Sequence, residues 1–298
     1  MPIRARSLST TMLTGLVGGV FLVPLTATAA HLGAKHTTPT STTTLPAVDG
    51  INAKIDGFGG TLANKSLTGA QGVMSIPLGT QFGLQVDGVA GSYDRDFFGT
   101  AAAHLFWRNP SQALLGLYAS YTHWDRFGGV NVSQVGGEGY VYWNQWSFGG
   151  IAGVESGSST SSVVGTFLET YDVKTRFFDK IDLTYYWQPN VKFSIGHRYA
   201  GGKNALALGT EWGLNVGRGT MGSLFAEGRI GEGDYQGVWG GLRLYFGQKD
   251  KPLVARHRQD DPPGTGPDSL FTIMNNFNKK SLPSTPTGGG GCSGPGLE

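Results

Sequence analysis

The chain has 298 residues, a formal net charge of +2, 15% charged residues, 11% aromatics, 49 glycines and one cysteine. That charge is too small to argue for nucleic acid, the glycines lack the triplet period of collagen, and a single cysteine cannot build an internal disulfide framework. After residue 30 no apolar run approaches the ~18–20 residues of a spanning helix, so a membrane form of this chain must cross with strands.

The first 29 residues carry the pattern of a secretory signal. Arg4 and Arg6 form a basic start, the stretch TMLTGLVGGVFLVPL forms an apolar core, and Ala27-Thr28-Ala29 forms a small-x-small cleavage site. Residues 30–50 are rich in threonine and proline and read as a flexible linker. His31 and His36 lie in that linker and read as solvated rather than metal-binding.

From residue 51 the chain alternates apolar and polar side chains in segments of about ten residues, each closed by a turn. Twelve segments are predicted: 51–60, 70–78, 82–92, 98–107, 113–124, 132–143, 146–155, 176–187, 191–200, 205–214, 221–230 and 236–246. Lengths of ~9–11 residues suit membrane-crossing strands better than the ~5–6 of soluble sandwiches. Even-numbered segments end in tight turns such as Gly79-Thr80, Asn144-Gln145 and Gln188-Pro189-Asn190. Odd-numbered ones tend to end in longer or more charged connections, and the weakly patterned stretch 156–174 has room for a further hairpin. Short turns on one side and longer loops on the other, with an even strand count, are the habit of outer-membrane barrels and place both chain ends in the periplasm.

Period-two alternation also divides the faces. In the segment 205–214, Leu206, Leu208, Thr210, Trp212 and Leu214 belong in lipid, while Ala205, Ala207, Gly209, Glu211 and Gly213 face inward. Applied throughout, this rule assigns Lys54, Asp56, Asp87, His104, Glu138, Lys180, Asp182, Lys192, Arg198, Glu211, Glu227, Arg229 and Arg243 to the lumen. A charge on the lipid face at mid-bilayer would cost ~2–4 kcal/mol, which is why the two sets do not mix. Trp107, Trp143, Trp146, Tyr185, Trp187, Trp212 and Phe246 lie near the short-turn ends of their segments, as expected of side chains at a membrane–water boundary.

Charges of both signs around the lumen allow two readings: a narrow passage selective for small polar solutes, or a lumen bridged shut in a structural, anchoring barrel. Enzyme motifs are not found in a workable context, and neither a catalytic set, a metal site nor a cofactor is assigned. His197 and His123, at the outer rim with outward parity, are the residues on which a distant third reading, a lipid-modifying enzyme, would rest. Residues 248–298 contain a mixed-charge stretch (RHRQDDPP), a short apolar patch (SLFTIMNNF) and a Pro/Gly/Ser/Thr-rich end, and read as a periplasmic, largely disordered tail.

The strand QGVWGGLRLYF with its final phenylalanine resembles the last strand of bacterial outer-membrane barrels. Together with LRLYFGQKDK and the unit SIGHRYAGGKNALALGTEWGL, it makes residues 51–260 similar to alphaproteobacterial, porin-like proteins of that class. The resemblance implies an all-β fold, a single antiparallel up-and-down transmembrane barrel. It also implies insertion through the barrel assembly machinery by way of the last strand, and contact with outer-membrane lipid and lipopolysaccharide. Unlike the family pattern, roughly fifty residues follow the phenylalanine, and the long acidic constriction loop of the large trimeric porins is missing.

Overall fold

The computed structural model of the chain describes residues 45–261 and 263–283. The predicted signal segment, most of the predicted linker and the last residues of the tail lie outside the described residues.

Twelve antiparallel strands close into a barrel: β1 (Asn52–Leu62), β2 (Lys65–Leu78), β3 (Phe82–Tyr93), β4 (Asp96–Asn109), β5 (Ala113–Trp124), β6 (Val130–Trp143), β7 (Trp146–Gly157), β10 (Arg176–Gln188), β11 (Val191–Ala200), β12 (Lys203–Gly217), β13 (Thr220–Gly231) and β14 (Gln236–Phe246). Each pairs with its neighbours in sequence, and β14 returns to β1 with Asp56 opposite Arg243. Closure removes the free edges that a lipid environment would leave without hydrogen-bond partners. Between β7 and β10 the chain leaves the wall to form a hairpin, β8 (Ser159–Val164) and β9 (Phe167–Asp172), so the stretch 156–174 does hold a further hairpin.

The end that carries both barrel termini, here the near end, has tight turns: residues 79–81, 110–112, Asn144-Gln145, Pro189-Asn190 and Arg218-Gly219. The far end has the longer connections 125–129, 158–175 and 232–235, but also three two-residue turns. Those turns, Ala63-Asn64, Asp94-Arg95 and Gly201-Gly202, have positive φ at both positions, which matches the twist of flanking strands. The expected asymmetry of loops therefore holds for half of the far-end connections. The charged stretch around Asp94-Arg95 is a tight turn because β3 runs on to Tyr93 and β4 starts at Asp96, earlier than the alternation indicated.

The outside of the wall is apolar: Val238 is 58% exposed, Leu242 65% and Leu115 68%, and the neighbouring strands present Phe148, Ile195, Leu208 and Leu224 in the same way. A continuous surface of this kind around a closed sheet is the signature of a barrel that spans a membrane. At the closing seam the wall needs glycine. A Cβ on Gly241 would run into the Gly57 carbonyl and the Phe58 backbone, neither of which can rotate away. Gly241→Val is expected to lower the fraction of chain that reaches the compact, heat-modifiable form on gels; a fraction equal to the parent's would show that the seam has slack.

The largest difference from the sequence reading is the tail. The described residues 248–261 and 263–276 are folded and run through the barrel, and 277–282 continue beyond it along the hairpin. The helical turn α1 (Leu253–Ala255) and the π-helical turn Arg256–Asp260 lie across the near mouth. The Val254 N–H donates to the Pro189 carbonyl, Arg258 donates to the Asn144 and Trp146 carbonyls, and Arg256 to the Gly219 carbonyl. Residues 263–268 then pass up the lumen. The helix α2 (Ser269–Asn275) fills the far half, and β15 (Phe277–Ser281) adds to the hairpin through β9.

The main hydrophobic core therefore sits inside the barrel. Leu270, Phe271, Ile273 and Met274 of α2 pack among Phe58, Leu62, Tyr93, Phe98, Trp124 and Trp239 of the wall. Burying four such side chains contributes roughly 1.5–3 kcal/mol each, enough to hold a tail that disorder-like composition alone would leave in solvent. Residues 45–50, expected to be linker, also dock at the near mouth. Val48 packs on Phe106 and Leu114, and the Ala47 N–H donates to the Thr80 carbonyl.

Candidate functional site: the lumen and its occupant

Alternation along each strand turns every second side chain inward, and the inward set here carries the charges. Lys54, Asp56, Asp87, His104, Glu138, Arg198, Glu211 and Arg229 are buried inside the wall, and Lys180, Asp182, Lys192, Glu227 and Arg243 line the same interior with partial exposure. They gather into three groups rather than standing apart.

The first group ties the seam. The Arg243 guanidinium donates to both Asp56 oxygens at 2.7 Å and to Glu211 at 2.8 Å. Glu211 also accepts from Tyr245 at 2.6 Å and Ser223 at 2.8 Å, and Lys192 lies 3.3 Å away. His257 of the tail completes this group, with its ring nitrogens 2.9 Å from the Tyr186 and Tyr245 hydroxyls. Lys54 lies over the Tyr245 ring, 5.9 Å from its centre.

In the second group His104 lies between two carboxylates, with Nδ1 2.8 Å from Glu138 and Nε2 3.5 Å from Asp87. Asp87 accepts from the backbone N–H of Thr265 at 2.7 Å and from its hydroxyl at 3.0 Å, so this group also grips the tail.

The third group receives Asp268. Arg229 donates to it through Nε and Nη2, both at 2.9 Å, and Arg198 Nε lies 3.5 Å away. The same two arginines pair with Glu227 and Asp182 of the wall, each at 2.9 Å. A fork-to-fork contact of this kind fixes direction as well as charge. Lys180 sits beside the Tyr118 ring, 5.6 Å from its centre.

What space remains is small. Two cavities of about 120 Å³ each flank residues 263–268, lined by Asp182, Thr184, Lys192, Glu227 and Arg243 among others. Each is large enough for about four waters at their liquid volume.

At the near mouth Asp49 accepts from Lys251 and Lys249 at 3.1 and 3.2 Å. Burial alone would raise its carboxyl, but those two ammonium groups outweigh it and hold the group below the usual carboxylate range. On the hairpin, burial against the far mouth pushes the Tyr171 hydroxyl up to about 12.

The aromatic residues expected at the membrane boundary lie on the outer wall near the near end. Trp143, Trp146, Trp187, Trp212 and Phe246 are exposed, Trp107 and Tyr185 partly so, and the Trp146 and Tyr185 rings meet at a tilt with their centres 4.5 Å apart. His257, Thr265, Asp268 and Thr272 were not assigned to the lumen from sequence, because they belong to the tail. Thr272 donates to Glu155 at 2.7 Å. A signal was present: RHRQDDPPGTGPD matches a lumen of both signs, and SLFTIMN matches its inward aromatics.

No protein-family model and no curated protein matches the chain. Among solved structures it is similar to an outer membrane channel from Pseudomonas putida F1, with a TM-score of 0.48 and 12% identity over 70% of this chain and 99% of that one. It is also similar to the translocator domain of the autotransporter NalP from Neisseria meningitidis, with a TM-score of 0.44 and 13% identity over 66% and 87%. A FadL homologue of Pseudomonas aeruginosa gives a TM-score of 0.31 and 6% identity over 66% and 89%. The chain's own strands, closed seam and apolar exterior define it as a twelve-stranded transmembrane β-barrel of the outer-membrane kind, with its lumen occupied by its own C-terminal segment.

Proposed function

We propose that this chain is a narrow, gated passage for small polar solutes across a bacterial outer membrane, closed at rest by residues 248–283. The observation that carries the reading is what does the closing. The lumen is filled by a segment continuous with β14 and gripped by charges that a vacated lumen would present to solutes, with residues 45–50 docked beside it at the near mouth. Withdrawal of that segment leaves the hydrogen-bonded wall unchanged, and a twelve-stranded barrel lies between the ~8 strands that side chains fill and the ~16 that stay open.

The near end is assigned to the periplasm. Both barrel termini lie there, and the longer connections lie opposite, where outer-membrane barrels carry their external loops. The apolar exterior meets outer-membrane lipid and lipopolysaccharide, and β14 is the segment offered to the barrel assembly machinery. A non-enzymatic role is supported at the rim. Both ring nitrogens of His197 are engaged, by Asp179 at 2.8 Å and Asn204 at 3.2 Å, and those of His123 by Asn131 and Asp125. Those partners include no hydroxyl that could serve as a nucleophile.

A second reading, the permanently closed anchoring barrel, is favoured by the apolar embedding of α2. Planar bilayers separate the two. The full chain is expected to be silent apart from rare openings, and a chain ending at Gly247 is expected to carry a steady current. A truncated barrel that migrates as folded yet stays silent would reject the passage and leave the anchor.

A further inference from the structure

The occupant of the lumen does not turn back. It enters at the near mouth, where the Gly219 N–H donates to Asp250 and Arg258 donates to the Asn144 carbonyl in the β6–β7 turn and to that of Trp146 at the start of β7. It is held midway by Asp87 and then by Arg229. It leaves at the far mouth, where Asn275 donates to the Ala200 carbonyl and Arg176 donates to Asn276.

Beyond the wall it continues outward along the hairpin. Phe277 to Ser281 pair in register with Tyr171 to Phe167, Lys279 lies 3.2 Å from Glu169, and the Tyr171 and Phe277 rings meet at a tilt with their centres 5.0 Å apart. The Leu282 N–H then donates to the carbonyl of Thr166, in the turn at the hairpin's tip. The hairpin β8–β9 takes no place in the barrel wall, and β15 is the strand that completes its sheet. The path is therefore a traverse with a clasp at its exit, and the last described residues lie at the opposite end of the barrel from β14's end.

We propose that the barrel carries its own C-terminal residues across the membrane and presents them at the cell surface, with the β8–β9 hairpin as the clasp that holds the emerging chain by strand addition. The cargo is this chain's Pro/Gly/Ser/Thr-rich end, residues 284–298, which begins where the clasp stops. Main-chain pairing suits such a role because it grips an extended segment with little demand on its side chains. Presentation goes beyond passage of solutes, and needs from the reading above only that the near end faces the periplasm.

The chain supplies its own probe, since Cys292 is its one cysteine. Cells producing the full chain are treated with a maleimide too large to cross the outer membrane. Two reference variants in a Cys292→Ser background fix the sides: Ser111→Cys in the near-end turn 110–112 and Ser161→Cys on β8. The expected result is complete labelling of Cys292 and of the Ser161→Cys variant in intact cells. The Ser111→Cys variant should stay unlabelled until the outer membrane is permeabilised. Overturning results are a Cys292 that reacts only after permeabilisation, together with Ser111→Cys, or one that reacts in neither state. Silence in planar bilayers would leave the labelling pattern untouched, so presentation and solute passage fail separately.

Discussion

Asp268→Ala in the full chain should turn a silent barrel into one that opens in bursts. Asp268 is the tail's anionic contact with Arg229, through two bonds of 2.9 Å, and it faces Arg198 at 3.5 Å. Removing one partner of a buried, hydrogen-bonded pair costs about 3–5 kcal/mol, because the charge left behind stays desolvated. Here the loss falls on the docked state of the tail, since Arg229 and Arg198 keep Glu227 and Asp182 within the wall. At 1.4 kcal/mol per power of ten, the open fraction should rise by roughly two to three and a half powers of ten. Openings should remain brief, because α2 still holds the far mouth through Leu270, Phe271 and Ile273. Asp268→Asn keeps the shape and part of the hydrogen bonding, and should fall between the two. Single-channel open probability is the readout, with unchanged heat-modifiable migration as the check on the wall. An open probability equal to the parent's would remove Asp268 from the gate.

Much of the wall was legible because alternation is a one-residue rule repeated over twelve strands. Leu206, Leu208, Trp212 and Leu214 are exposed on the outside of β12, and Glu211 on the same strand is buried within. Lipid allows no compromise between the two faces, so the pattern is clean. The path of the tail obeys no such rule. The stretch 248–268 lacks periodicity, and its prolines, glycines and mixed charges are those of a solvated segment.

The clue lay in the wall instead. Phe98, Trp124 and Trp239 have inward parity, and a water-filled lumen has no use for large apolar rings at its far mouth. Those rings require an apolar partner, and SLFTIMN is the apolar patch that the tail offers them. Inward aromatics on a barrel thus ask which segment fills it. The hairpin was obscure for a related reason: β8 is short, serine- and threonine-rich and buries no residue, and β9 turns in only Glu169 and Tyr171, too few positions for a face to declare itself.

Arg243→Ala should be the most destabilising single change in the wall, with a loss of about 3–5 kcal/mol. One guanidinium here serves three strands: it lies on β14, donates bidentately to Asp56 on β1, and reaches Glu211 on β12. The β1–β14 pairing is the seam that turns a sheet into a barrel, and Asp56 and Arg243 stand directly opposite in its register. With alanine, Asp56 keeps its burial and loses both bonds, whereas Glu211 retains Tyr245, Ser223 and Lys192. The strain is thus concentrated on Asp56. Asp56→Leu placed beside Arg243→Met should recover most of the loss, since an apolar pair of similar bulk removes the stranded charge. Arg243→Lys should recover little, because an ammonium cannot span both carboxylates with the same fork. Unlike Asp268→Ala, this change weakens closure of the wall rather than docking of the tail, so it should shift the urea midpoint of vesicle-inserted barrels without raising open probability in those that remain folded. A midpoint unmoved by Arg243→Ala, or additive losses for Arg243→Ala and Asp56→Ala in a double-mutant cycle, would show that the seam is held by its backbone ladder alone.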